Sequence, residues 1–218
     1  MKQIIFGICV VIAFGIFFWT LTRFIKFMRR GRPFEGTFDQ KAARFGDVLL
    51  YFLFQRSVAR EMASRHHLLI FWGFLIITLG TGELLIQGLV PSFSYEIFGS
   101  TINAGFKAVL DVTNAVVLVV MAWAVFRRMV LRPNLIPMSG DAALILGMIS
   151  ALCVSHFLMH GYGMAASGQV HEYMPISTIV AGWGAGGDPA SARNISEVNW
   201  WIHMLIVLFF LNYIPYSK

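Results

Sequence analysis

AALILGMISALCVSHFLMHGYG, Ala142 to Gly163, runs for 22 residues without a charged side chain yet carries two imidazoles, His156 and His160. At 1.5 Å per residue a helix of this length spans about 33 Å, enough to cross the roughly 30 Å hydrocarbon core of a bilayer. Histidine at that depth is costly without a partner, so the stretch predicts a membrane helix with a polar task. The two residues are four apart and share one helix face.

Four further runs of the same kind lie outward from it: Ile4 to Leu21, Leu68 to Gln87, Phe106 to Phe126 and Val198 to Pro215. With 57% hydrophobic residues, 13% charged and a mean hydropathy of +0.70, the 218-residue chain is too apolar for an ordinary soluble domain. The expected fold is an all-α membrane protein, a bundle of five transmembrane helices forming a single domain over residues 1–218. No internal repeat is evident. The first run lacks a basic start and a small-residue cleavage site, so it reads as a retained anchor, not a signal peptide.

The cations divide unevenly between the two ends of these helices. Ten lie between Arg23 and Arg65, and Arg127, Arg128, Arg132 and Lys218 join them, whereas only Lys2, Lys107 and Arg193 fall on the other side. The positive-inside rule then places the N-terminus outside and the C-terminus in the cytoplasm. Anionic lipid, not nucleic acid, suffices to explain the net charge of +6. Gln40 to Ala63 mixes cations with the apolar run Val48 to Phe54 and reads as an interfacial helix between the first and second spans. Ala181 to Ala192, rich in glycine, reads as an irregular, mobile outer segment. A dinucleotide-loop reading of Gly182 to Gly187 fails because no strand precedes it.

Cys9 and Cys153 sit inside different spans and make neither a metal motif nor a disulfide framework. The histidines carry the chemistry. His67, His156, His160 and His203 all fall in or at apolar spans, and haem iron is the commonest membrane partner that takes imidazoles from several helices. Counting along the helices puts His67 at the inner edge and His203 roughly 20 Å away, so the two cannot share an iron. His156 and His160 bracket the depth of His203, which allows an outer haem between the fourth and fifth helices, held by His203 and one of that pair. His66 and His171 are weaker candidates. Glu83, Gln87 and Asp111 near the outer helix ends are candidates for accepting quinol protons, with inter-helix hydrogen bonding as the alternative. Gly73 and Gly80, seven apart, keep a small-residue groove for a neighbouring helix or a flat macrocycle. Trp19, Trp200 and Trp201 near span ends read as interface anchors.

The strings HLLIFWGF (His67 to Phe74) and WWIHMLIVLFFLNYIPYSK (Trp200 to Lys218) resemble the second and last membrane helices of haem b domains related to the nitrate reductase gamma subunit. The likeness is greatest to the membrane part of heterodisulfide-reductase-like iron–sulfur reductases, including electron-transfer-flavoprotein:menaquinone oxidoreductases. The resemblance implies that His67 and His203 are axial ligands of one or two haems b. It also implies an oxidoreductase component in a bacterial or archaeal cytoplasmic membrane, moving electrons between a cytoplasmic iron–sulfur partner or electron-transfer flavoprotein and menaquinone near Glu83, His171 or Tyr173. Two departures stand out. The outer-depth histidine of the second helix is Ile77 here, a role open to His156 or His160, and the family's further histidine follows beyond the position of Lys218. An iron–sulfur domain is therefore expected to follow. The rival readings are a haem-free anchor of a soluble enzyme, a proton-coupled transporter, or another transmembrane cytochrome b such as a ferric reductase.

Overall fold

Each of the five apolar runs becomes one helix in the computed structural model, which describes residues 1–31, 39–62, 65–131 and 138–216. Arg32, Ala63, Arg132 and Lys218 lie outside the described residues. Helix α1 spans Lys2–Met28. Two short helices follow, α2 (Lys41–Asp47) and α3 (Arg56–Arg60), linked by a π-helical turn at Val48–Leu53. Then come α4 (His66–Leu89), α5 (Ser100–Phe126), α6 (Gly140–Ser167), α7 (Pro175–Gly184) and α8 (Pro189–Tyr213). Among the described residues there is no strand, and α1, α4, α5, α6 and α8 are the helices long and apolar enough to cross a membrane.

Three expectations change. The helix expected over Gln40 to Ala63 is broken, because Gln55 adopts a left-handed conformation (φ +49°) between the π-helical turn and α3. The segment Ala181 to Ala192 is not irregular: its first four residues end α7 and its last four begin α8. Helix α8 thus starts at Pro189, nine residues before the expected Val198, where Asp188 accepts from the amides of Ala190 and Ser191 and Pro189 takes the first turn. Serine–donor bonding hardens this start, since Ser191 Oγ also donates to Asp188 at 2.8 Å. These donors favour the charged carboxylate and hold Asp188 below the usual aspartate range.

Contacts between helix ends fix an alternating order. Lys2 pairs with Glu197 at 2.7 Å and Thr20 shares a hydrogen bond with Tyr216 at 2.9 Å, so α1 and α8 run parallel. Gly73 and Gly80 of α4 meet Val117 and Leu110 of α5 in reverse order, and Tyr213 donates to Asp141 at the foot of α6. Met28, His66, Arg127, Gly140 and Tyr213 therefore share one end of the bundle, the basic end.

Helix α6 is the centre of the packing, against α5, α7 and α8, while α4 packs on α5 and α1 on α4 and α8. Without a hydrophobic force between helices in lipid, close approach decides such contacts. A Cβ added to Gly73 would lie 2.4 Å from Val117, and one added to Gly80 2.5 Å from Leu110. The glycine groove is thus filled by a neighbouring helix. Gly88 plays the same part between α1 and α8, where Phe6 and Trp200 pack edge to face at 5.0 Å. Trp200, expected as an interface anchor, is buried for this reason.

The core divides in two. Phe6, Ala13, Met159, Trp200, Met204 and Leu208 cluster where α1, α6 and α8 meet. Val117, Val120, Met121, Ala124, Leu146 and Cys153 cluster between the basic-end halves of α5 and α6. Toward the opposite end, buried apolar residues such as Leu110, Phe157, Met174 and Val180 surround a group of buried polar side chains.

Candidate functional site

That polar region comprises Asp111 and Asn114 on α5, Ser155 and His156 on α6, Ser177 on α7 and His203 on α8, each buried to within 2% of full enclosure. The α6 and α8 backbones bring Ser155 beside His203, with Ser155 Oγ 2.9 Å from His203 Nδ1. Ser155 donates its own hydroxyl hydrogen to the Leu152 carbonyl at 3.0 Å. With that hydrogen so placed, the Ser155 oxygen accepts from His203 Nδ1, the tautomer that leaves the lone pair on Nε2. That Nε2 is buried and has no hydrogen-bond partner among the described residues. A buried acceptor without a partner is a rare and costly arrangement in a folded protein.

His156 lies one turn from His160, with ring centroids 4.6 Å apart, as their four-residue spacing predicts. Its Nε2 also lacks a hydrogen bond, but Asp111 Oδ1 stands 3.7 Å away. The carboxylate favours an N–H at that atom, the tautomer that leaves the ring's lone pair on Nδ1. Asp111 itself is fully buried and caps α7: Ile176 N donates at 2.7 Å, Ser177 N at 3.2 Å and Ser177 Oγ at 2.5 Å. A carboxylate aimed at the first turn of a helix satisfies orphan amides and complements the helix dipole. His160 is half-buried, with Lys107, His156, His171 and His203 all in electrostatic range.

The other candidates lie apart from this cluster. Glu83 is buried and accepts from Ser94 Oγ at 3.2 Å and Tyr95 N at 2.8 Å, which holds the 3₁₀ turn at Tyr95–Phe98. His171 and Tyr173 stack on each other with centroids 5.2 Å apart in the turn before α7. Burial, and then the charge of Glu96, raise the Tyr173 phenol above its usual range. Gln87 lines a shallow cavity of about 300 Å³ with Lys2, Gln3, Gly88, Pro91 and Trp200. His67 is exposed in the first turn of α4. Because Gly88 and Trp200 touch, α4 and α8 share a register that puts His67 about 27 Å from the level of His203.

Ser155, Ser177 and Asn114 were not among the sequence candidates. Asn114 is the most legible of them in hindsight, a buried amide three residues from Asp111 inside an apolar helix. Its Nδ2 donates to the Leu110 carbonyl at 2.9 Å and its Oδ1 has no partner among the described residues. No group of three or more metal-binding side chains occurs among the described residues.

Among proteins of known function, the chain is similar to the probable iron-sulfur-binding oxidoreductase FadF of Bacillus subtilis, at 24% identity over an alignment of 224 positions covering 100% of this chain and 31% of that protein. It is also similar to the EtfAB:quinone oxidoreductase of Syntrophomonas wolfei, at 24% identity over 193 positions, 83% of this chain and 26% of that protein. The chain spans less than a third of the length of these relatives. No family model matches it, and no solved structure does. Both relatives are named as oxidoreductases, and the five long apolar helices of this chain suit a multi-pass membrane protein.

Proposed function

We propose that this chain is the membrane electron-transfer part of an iron–sulfur quinone oxidoreductase, with haem b held between α6 and α8. The observation that carries this reading is the Nε2 of His203: buried, without a partner, and left as the lone-pair nitrogen by the Ser155 hydrogen bond. An outer hydrogen bond that fixes ring and tautomer is what a metal-bound imidazole requires. When bound, haem b supplies a one-electron carrier that cycles between ferric and ferrous iron.

The chain's own residues divide the remaining work. His160 would be the second imidazole to hold the haem, from α6, because the Asp111 carboxylate 3.7 Å from His156 Nε2 favours an N–H there. Asp111 thereby orients His156 as well as α7. His171 and Tyr173 offer an imidazole and a phenol to the carbonyl oxygens of a quinone, in electrostatic range of His160 through His171. Glu83 holds the adjoining turn. His67 belongs to a separate inner site at the basic end, on the side where an iron–sulfur partner or electron-transfer flavoprotein would dock. Menaquinone as the quinone follows from the family resemblance.

A reduced-minus-oxidised absorption spectrum of the detergent-purified protein, with haem quantified per chain, tests this directly. The expected result is a b-type spectrum that His203→Ala and His160→Ala each diminish and His156→Ala preserves. Loss with His156→Ala instead would exchange the two α6 roles. Absence of haem after haem-replete expression would reject the cytochrome reading in favour of a membrane anchor.

A further inference from the structure

At the basic end, the last turns of α1 with the residues just after it and the 3₁₀ turn Ile214–Tyr216 that follows α8 form a groove of about 500 Å³ lined by Thr20, Arg23, Phe24, Lys26, Phe27, Arg30 and Tyr216. At about 30 Å³ per water in the liquid, this space exceeds what a single small ion needs. Arg23 and Lys26 are three apart near the end of α1, and Arg30 follows just beyond its last residue, Met28. Among the described residues no carboxylate lines the groove or pairs with these cations. Thr20 is buried and shares its single hydrogen bond with Tyr216 at 2.9 Å. Two hydroxyls sharing one bond leave one hydrogen to donate elsewhere, and Tyr216, at 59% exposure, faces the opening. Every polar side chain here therefore offers donors toward a common space.

We propose that this groove binds the headgroup of an anionic phospholipid. A phosphodiester is acceptor-only and negatively charged, which complements two guanidinium forks, an ammonium and a phenol. A zwitterionic headgroup would bring its own ammonium among three cations. The surroundings select lipid over free phosphate. Ile16, Phe18, Trp19 and Leu21 are exposed along α1 beyond the groove, giving acyl chains an apolar surface continuous with the headgroup site. Arg23 stacks over Trp19 at 4.9 Å, which holds one cation at the boundary between the two zones.

Native mass spectrometry of the full protein in detergent, titrated with phosphatidylglycerol and with phosphatidylcholine of the same acyl chains, tests the proposal. One phosphatidylglycerol per chain should bind in clear preference to phosphatidylcholine. Arg23→Gln with Arg30→Gln should weaken phosphatidylglycerol binding roughly 25-fold, at about fivefold per cation near a membrane surface, and leave phosphatidylcholine adducts unchanged. Arg56→Gln with Arg60→Gln, at the same end but outside the groove, should have no effect. If the double α1 variant does not fold, Tyr216→Phe and Lys26→Gln singly should each lower the preference. Equal binding of the two lipids would overturn the proposal, as would full displacement of phosphatidylglycerol by millimolar inorganic phosphate, which would mark a free-anion site. Unchanged phosphatidylglycerol binding in folded α1 variants would overturn it too.

Discussion

Replacing Asp111 by alanine removes the acceptor that α5 extends to the first turn of α7, and the loss can be sized from its bonds. The amides of Ile176 and Ser177 donate to it at 2.7 and 3.2 Å, and the Ser177 hydroxyl at 2.5 Å. Stranding a buried donor costs about 1–3 kcal/mol. Two amides are stranded, while the hydroxyl can turn to another acceptor and the end of α7 can fray toward water. The sum is then near the low end, about 3 kcal/mol. At 1.4 kcal/mol per tenfold, the α7 amides beyond the first turn should exchange hydrogen about 100-fold faster. Asp111→Asn keeps one carbonyl oxygen and should show about a tenfold effect. Hydrogen exchange followed by mass spectrometry, peptide by peptide, reads this change. The reasoning fails if α7 exchange in folded Asp111→Ala protein stays within about threefold of wild type, or if α4 and α5 accelerate equally, since the cap would then not act on α7.

Other changes have their own expected outcomes. Ser155→Ala leaves His203 Nδ1 without its 2.9 Å partner, so the proposed haem site should still load but with a broadened spectrum and a shifted midpoint potential; an unchanged redox titration would show that Ser155 does not orient the ring. Gly88→Ala sets a methyl 2.4 Å from Phe6 and 2.9 Å from Trp200, which should destabilise the α1–α4–α8 contact by about 1–3 kcal/mol and lower the thermal midpoint in detergent. Lys2→Met breaks an ion pair whose side chains are 34% and 45% exposed, so solvent screening limits the change in stability to under about 1 kcal/mol. Asp188 is stabilised in its charged form by Ser191 and Ala190; its cap should persist above the ordinary aspartate pKa and be lost only as pH falls through its lowered value, a midpoint that the Ser191 amide resonance should report.

The five spans were legible because an uninterrupted apolar run has few other uses. The first turns of α8, before Val198, were not, since Ser191, Arg193, Asn194, Ser196 and Glu197 dilute its hydropathy. The Asp188–Pro189 pair was nevertheless a readable helix start. Helix α7 escaped because ten residues cannot span a membrane and its Gly182 and Gly184 resemble a loop. At the site, the pairing of His156 with His160 followed from helical spacing alone. The roles of Ser155 and Asp111 could not, because their partners stand 48 and 65 or 66 residues away. Such a contact exists only once α6 has met α8, or α5 has met α7. Glu83 shows the converse: a carboxylate that depth alone suggests for proton chemistry is engaged by a turn beginning eleven residues later.

Helix α1 touches the bundle along a narrow seam, Phe6, Ala13 and Thr20, seven residues apart, with most of its other apolar side chains exposed. Its partners on α8 include Glu197, 195 positions downstream of Lys2. At a synthesis rate of about 5–20 residues per second, α1 leaves the ribosome roughly 10–40 s before that partner exists. Until then it has α4 but not α8 to pack on, and it is held in the bilayer by its own apolarity and by the cations at its foot. The seam suits that history: a helix already at home in the bilayer needs only a narrow line of contacts to be recognised when α8 arrives.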